Sequence, residues 1–130
     1  MGTNYYWQLK YQDEPLHIGK SSAGWCFSLH IIPDMGINEL DDWIKLFEEP
    51  KSIIYDEYNS FIGIRCMLHV ITKRKWNDRG PIAPMGYSSW AEFRVKNHAA
   101  EGPNNLWRHV YHATPGKDNG TYDLIYGDFS

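Results

Sequence analysis

The sequence predicts one α+β domain over residues 1–130, with a mostly antiparallel sheet, hairpins near both ends and two to three helices. Three observations carry that prediction. The chain has 130 residues, 42% hydrophobic and 22% charged, enough for one packed core and too apolar for disorder. Aromatic and β-branched segments recur between clusters of Gly, Pro, Asn and Asp, as strands do between turns. Two or three stretches instead space their apolar residues by three and four, the repeat of an amphipathic helix.

Taken in order, "TNYYWQLKY" (residues 3–11) reads as a strand that "DEP" breaks. Residues 16–19 and 24–32 are apolar runs joined by "KSSAG", a hairpin with its loop at residues 20–24. In "GWCFSLHII", Trp25, Phe27, Leu29 and Ile31 share one strand face, and Cys26, Ser28 and His30 share the other. Ile37, Leu40, Ile44 and Phe47 line a helix stripe with Trp43 beside them, with Asn38 as a cap and Pro50 as the stop. "SIIYD" is a short strand, and "DEY" is a turn in which Asp bonds its own backbone. Ser60 is the candidate cap for a helix carrying Phe61, Ile64, Met67, Leu68 and Ile71. Its β-branched residues leave a strand as the alternative. Residues 77–87 form a loop with two prolines and two glycines, and Ser88 or Ser89 starts a further helix that "EGPNN" ends. "LWRHVYHA" and "TYDLIYG" then pair as a last hairpin around "TPGKDNG".

Composition narrows the function classes. A net charge of −3 disfavours non-specific binding to duplex DNA, which needs a surplus of Lys and Arg, and no basic recognition helix is visible. Cys26 and Cys66 both sit in apolar runs, so buried thiols in a reducing compartment are expected rather than a disulfide framework. The opening residues lack the basic start and apolar run of a signal peptide, and Tyr6 stands where a myristoylation site wants Ser or Thr. No segment has the length of apolar residues that a membrane span needs, so the expected setting is the cytoplasm, away from membranes.

Four sets of residues could carry chemistry. "GKSSAG" with Lys20, Ser21, Ser22 and Trp25 could present N–H groups and hydroxyls to a phosphate. It lacks the spacing of a Walker loop, and a hairpin turn alone also uses such residues. His17 and His30 could face each other across the first hairpin, as a zinc site begins. His109 and His112 share a face only on a helix. Asp41, Asp42, Asp56, Glu57, Glu92 and Asp123 are the acid–base candidates, the first two on a helix face that reads as solvated. Trp76, Trp90 and Trp107 stand beside Arg74, Lys75, Arg79, Arg94 and Arg108. Such rings and cations can hold a base with its phosphate, anchor a protein partner, or simply fill the core. Trp107, Arg108 and His109 join Lys20, Ser21, Ser22 and Trp25 as the expected ligand residues.

"MGTNYYW", "LHIGKSSAGWCFSLH", "DEY", "KNHAAEGPNNLWRH" and the closing "GTYDLIYGDFS" together resemble a family of small proteins encoded by phages and prophages. The resemblance spans most of the chain and implies a setting rather than a mechanism. Many members that look like this carry a Cys-x-x-Cys pair between the opening and the "LHIGKSS" segment, which suggests a zinc knuckle. Here that stretch is "WQLKYQDEP", without cysteine. The resemblance therefore implies that a metal bound in relatives is missing or differently ligated here, that the strand of Tyr5 to Leu9 packs in its place, and that His17 and His30 are remnants of the site.

The setting implies an accessory binding protein that counteracts a host defence system, either by binding a host defence protein or by sequestering a nucleotide signal. The alternatives are a metal-dependent enzyme acting on a nucleotide or nucleic acid, with His17, His30, His109 or His112 and Asp123, and a virion or assembly interaction module.

Overall fold

A computed structural model describes residues 2–12, 14–76, 80, 82–127 and 129. Its main sheet has six strands: β1 (Gly2–Leu9), β2 (Leu16–Ser22), β3 (Phe27–Ile31), β4 (Ser52–Asp56), β7 (Ala113–Pro115) and β8 (Tyr122–Tyr126). They lie in the order β4-β1-β2-β3-β8-β7, antiparallel except for β3 beside β8. A second sheet pairs β5 (Ala99–Glu101) with β6 (Trp107–His109). Three helices complete the α+β fold: α1 (Leu40–Phe47), α2 (Ile64–Thr72) and α3 (Trp90–Lys96).

Helices α1 and α2 cover one face of the main sheet. Alternation along the strands sends Tyr5, Trp7, Ile18, Phe27, Leu29, Ile54 and Tyr122 to that face, where Trp43, Phe47, Met67 and Ile71 meet them. Trp43 is wholly buried, and its indole N–H donates to the His30 carbonyl at 2.8 Å, so α1 is pinned to β3 by a ring and a hydrogen bond. Trp7 repeats the device on β1. Its indole N–H donates to Ser52 Oγ at 2.9 Å and to the Leu46 carbonyl at 3.2 Å, closing α1 onto β4.

The helices lie over most of their predicted stripes, but Ile37 precedes α1 and Phe61 precedes α2, where it bridges to Tyr55 and is exposed. The expected caps of these two helices are not used. Glu39, not Asn38, caps α1, in a capping box closed by Asp42. Gly63 precedes α2, and Ser60 instead donates its N–H to Asp56 Oδ1 at 3.0 Å within the predicted turn. Ser89 caps α3 by accepting from the Glu92 N–H at 3.1 Å. Part of the predicted 77–87 loop, residues 77–79 and 81, lies outside the described residues, as does Arg79.

Three expectations are overturned. Lys20, Ser21 and Ser22 belong to β2, paired with Asn4, Thr3 and Gly2, so the first hairpin turns at residues 23–24. Their backbone serves the ladder and forms no open nest for a phosphate. The stretch "LWRHV" does not pair with "TYDLIYG". Trp107 to His109 join β5, and Ala113, the end of the expected strand, with Thr114 and Pro115 of the expected turn become the partner of β8. Cys66 lies on the outer side of α2 and is exposed, while Cys26 is buried.

One glycine is sterically obligatory. A Cβ on Gly19 would lie 2.0 Å from the Ser28 carbonyl oxygen and 2.5 Å from the Phe27 ring, because β2 and β3 close tightly over that ring. Gly19→Ala is expected to destabilise the fold by about 1–3 kcal/mol, the cost of overpacking a filled interior, read as a lower denaturation midpoint in urea.

Candidate functional site

The second face of the main sheet divides into a buried polar centre and an open stretch. Over the β3–β8 end sit α3 and the small sheet, whose aromatic cluster holds Phe93, Trp107, Trp25, Trp76, Tyr87 and Trp90. Three of the tryptophans singled out beside cations therefore converge. Trp25 joins this cluster rather than the face of Phe27 and Leu29, because the chain bends at residues 25–26 to bridge Trp25 to Trp107. Trp76 lies with its ring against the Gly24 backbone.

Asp123 is the centre of this region, with no solvent exposure. Arg108 Nε donates to Asp123 Oδ1 at 2.7 Å, and Arg108 Nη2 donates to the Gly120 carbonyl. The other carboxylate oxygen accepts from the His109 backbone N–H at 3.0 Å and lies 3.2 Å from His109 Nδ1. The charge is thus neutralised and each oxygen is occupied, which makes complete burial tolerable. His109 stacks on Trp25 with centroids 4.5 Å apart and leaves about 31% of its side chain exposed. The contact of Nδ1 with the buried carboxylate and the stack on Trp25 together fix the orientation of the His109 ring.

This geometry redistributes the expected ligand residues. Trp107 and Arg108 are buried and committed to packing and to Asp123, so neither offers a face to a ligand. Arg74 ties the first turn, donating from Nε to the Trp25 carbonyl at 3.0 Å and from Nη2 to the Ser22 carbonyl at 2.9 Å. Cys26, beside Arg108 and Asp123, is pushed from an ordinary 9.0 up to about 11, by burial first and by the Asp123 charge second. It is a protonated thiol, not an activated nucleophile. His112 is exposed at the far side of Tyr111, 4.0 Å between rings, and does not join His109.

The open stretch of the same face carries a row of rings. Register sets Tyr55 beside Tyr6 and Tyr6 beside His17, on β4, β1 and β2. Tyr55 and Tyr6 stack at 5.7 Å, Tyr6 and His17 lie 5.5 Å apart, and His17 meets His30 of β3 edge-on at 5.4 Å. The row crosses four adjacent strands. A bulge between Tyr5 and Tyr6 keeps Tyr6 opposite His17, which a regular ladder would offset. Asn4 Oδ1 lies 2.8 Å from His17 Nε2, and Glu57 accepts from the Asn4 backbone N–H at 2.7 Å. Tyr55 donates its hydroxyl to Gln8 Oε1 at 2.9 Å. Lys20 stands opposite Asn4 in register and shares its face. Depressions of about 420 Å³ (Gln8, Ile53, Tyr55, Asn59, Phe61) and about 350 Å³ (with His30, Ile31 and Tyr126 in its wall) flank the two ends.

His17 and His30 do face each other, as the first hairpin implies. Among the described residues, no group of three or more His, Cys, Asp or Glu side chains is placed to hold a metal ion, and His17 Nε2 faces an amide oxygen rather than a carboxylate. Tyr6 and Tyr55 were not among the sequence candidates. Their signal is the alternation itself, since Tyr6 falls between the core residues Tyr5 and Trp7, and Tyr55 follows the core residue Ile54. No protein-family model, curated protein or solved structure matches the chain.

Two outcomes follow. Asp123→Asn strands the buried Arg108 guanidinium without a counter-charge and is expected to cost about 3–5 kcal/mol in a denaturant titration. Because the folded state holds the Cys26 thiol near 11 against an ordinary 9.0, its stabilising effect is complete below pH 9 and declines as pH rises toward 11. Cys26→Ala is expected to flatten that alkaline decline in thermal melts. Tyr122, raised by burial and by its hydrogen bond to Glu39, sustains the remaining loss at higher pH.

Proposed function

We propose that the protein is a phage-encoded accessory binding protein that counteracts a host defence system by sequestering a nucleotide-type signal on the open face of its sheet. The observation that carries this reading is the row Tyr55–Tyr6–His17–His30, four rings on four neighbouring strands. Aromatic side chains displayed across a sheet are stacking platforms for unpaired bases, each base contributing about 1–3 kcal/mol. The half-buried Gln8 amide beside Tyr55 suits the donor and acceptor edges of a base. Lys20 on the same face suits a phosphate. The role of the lysine is thus kept, but as a strand residue beside rings rather than as part of a loop.

A second reading draws on a different observation. Phe61 is 80% exposed and Tyr58 70% exposed at the β4 end, and rings of this kind anchor protein interfaces. They support a host defence protein as partner and predict that Phe61→Ala, not Tyr6→Ala, abolishes capture of that protein.

The nucleotide reading is tested by titrating a panel of purine and pyrimidine nucleotides into the protein while following ring signals by NMR. Tyr6, His17, His30 and Tyr55 are expected to shift together, and Tyr6→Ala to weaken binding by about tenfold. No binding at millimolar nucleotide, or shifts confined to another surface, contradicts it.

A further inference from the structure

We infer that the slot that His17 and His30 form together, filled here by Phe129, is the base-binding subsite of this face, and that Phe129 is a built-in competitor for it. The inference rests on the nucleotide reading and deepens it. The ring of Phe129 sits 4.9 Å from His17 at 70° and 5.1 Å from His30 at 62°, so it meets both imidazoles edge-to-face. Together with the His17–His30 contact at 64°, this makes a closed set of three mutually edge-on rings. Strand β8 ends at Tyr126, and Gly127 follows it with φ of +93°. Phe129 follows β8 in sequence, outside that strand's residues.

What the slot accepts is visible from what fills it: one flat ring, contacted at its faces and edges by aromatic neighbours. A nucleobase has that shape. The polar group at the slot suits a nucleobase better than a second phenyl ring, since Asn4 stands against His17. Charge argues for a single nucleotide rather than a strand. Glu57 is bonded to Asn4 at the edge of the row, the chain's net charge is −3, and the cation that register sets on this face is Lys20. A run of phosphates would meet repulsion there, whereas one phosphate group meets Lys20. The depressions at either end of the row leave room for a ribose.

The test uses the full chain and adenosine 5′-monophosphate as the probe, with affinity read by calorimetry. Phe129→Ala is expected to bind the probe about 2- to 10-fold more tightly than wild type, the range set by one edge-to-face aromatic contact per competitor. In wild type, the probe is expected to move the Phe129 ring signals toward their solvent-exposed positions. Equal affinity of the two proteins, or Phe129 signals that stay fixed while Tyr6 shifts, overturns the competitor and leaves the stacking face standing. Tighter binding of wild type to single-stranded oligothymidylate than to the mononucleotide overturns the single-nucleotide assignment. No binding of the probe to either protein removes the nucleotide reading itself.

Discussion

The Arg108–Asp123 pair joins the two parts of the molecule, and the arrangement of the second face depends on it. Arg108 comes from the small sheet and Asp123 from the main sheet, with 2.7 Å between Nε and Oδ1 and neither group in water. Such a pair contributes little net stability, since desolvation offsets most of its attraction. What it contributes is position, because neither charge has another place to go. The carboxylate's second oxygen fixes the His109 backbone and ring, His109 fixes Trp25, and the Trp25–Trp107 bridge seats the aromatic cluster. Arg74 closes the set by tying the first turn down through carbonyls.

The consequence is a sheet with unequal faces. One face is filled by α1 and α2 around Trp43 and Phe47, and the β3–β8 end of the other is filled by the cluster that Arg108 and Asp123 hold in place. The remaining stretch, β4-β1-β2-β3, keeps the half-buried rings of Tyr55, Tyr6 and His17 beside the buried His30. Burial decides which polar residues can act on a ligand. Arg108, Trp107, Asn4 and His30 are spent on the interior, and Lys20, Tyr6, His17 and Tyr55 are what the surface retains. Among the described residues no helix is long and apolar enough to cross a membrane.

Much of this was legible in the chain, and the losses have physical reasons. The stripe of Leu40, Ile44 and Phe47 and that of Ile64, Met67 and Ile71 are local signals, and both helices lie over them. The first turn is displaced because Lys20, Ser21 and Ser22 are poor strand formers that the ladder with β1 nevertheless holds, a tertiary override of propensity. The C-terminal pairing fails for the opposite reason. "LWRHV" has the composition of a strand, but its partner is the three-residue "AAE", which carries no strand signal. The face row was half legible: His17 and His30 follow from the hairpin. Tyr6 beside His17 follows only from a bulge, and Tyr55 beside Tyr6 only from a pairing across forty-odd residues. Neither is a local property of the sequence.

The claim with most at stake is that the open face holds one nucleotide. Native mass spectrometry of the protein, incubated with a physiological mixture of nucleotides and sprayed gently, reads it directly. The account predicts a population heavier by one nucleotide, present in wild type and lost in Tyr6→Ala. A single apo mass in both proteins at millimolar nucleotide contradicts it, and the Phe61 surface then becomes the place to look for the partner.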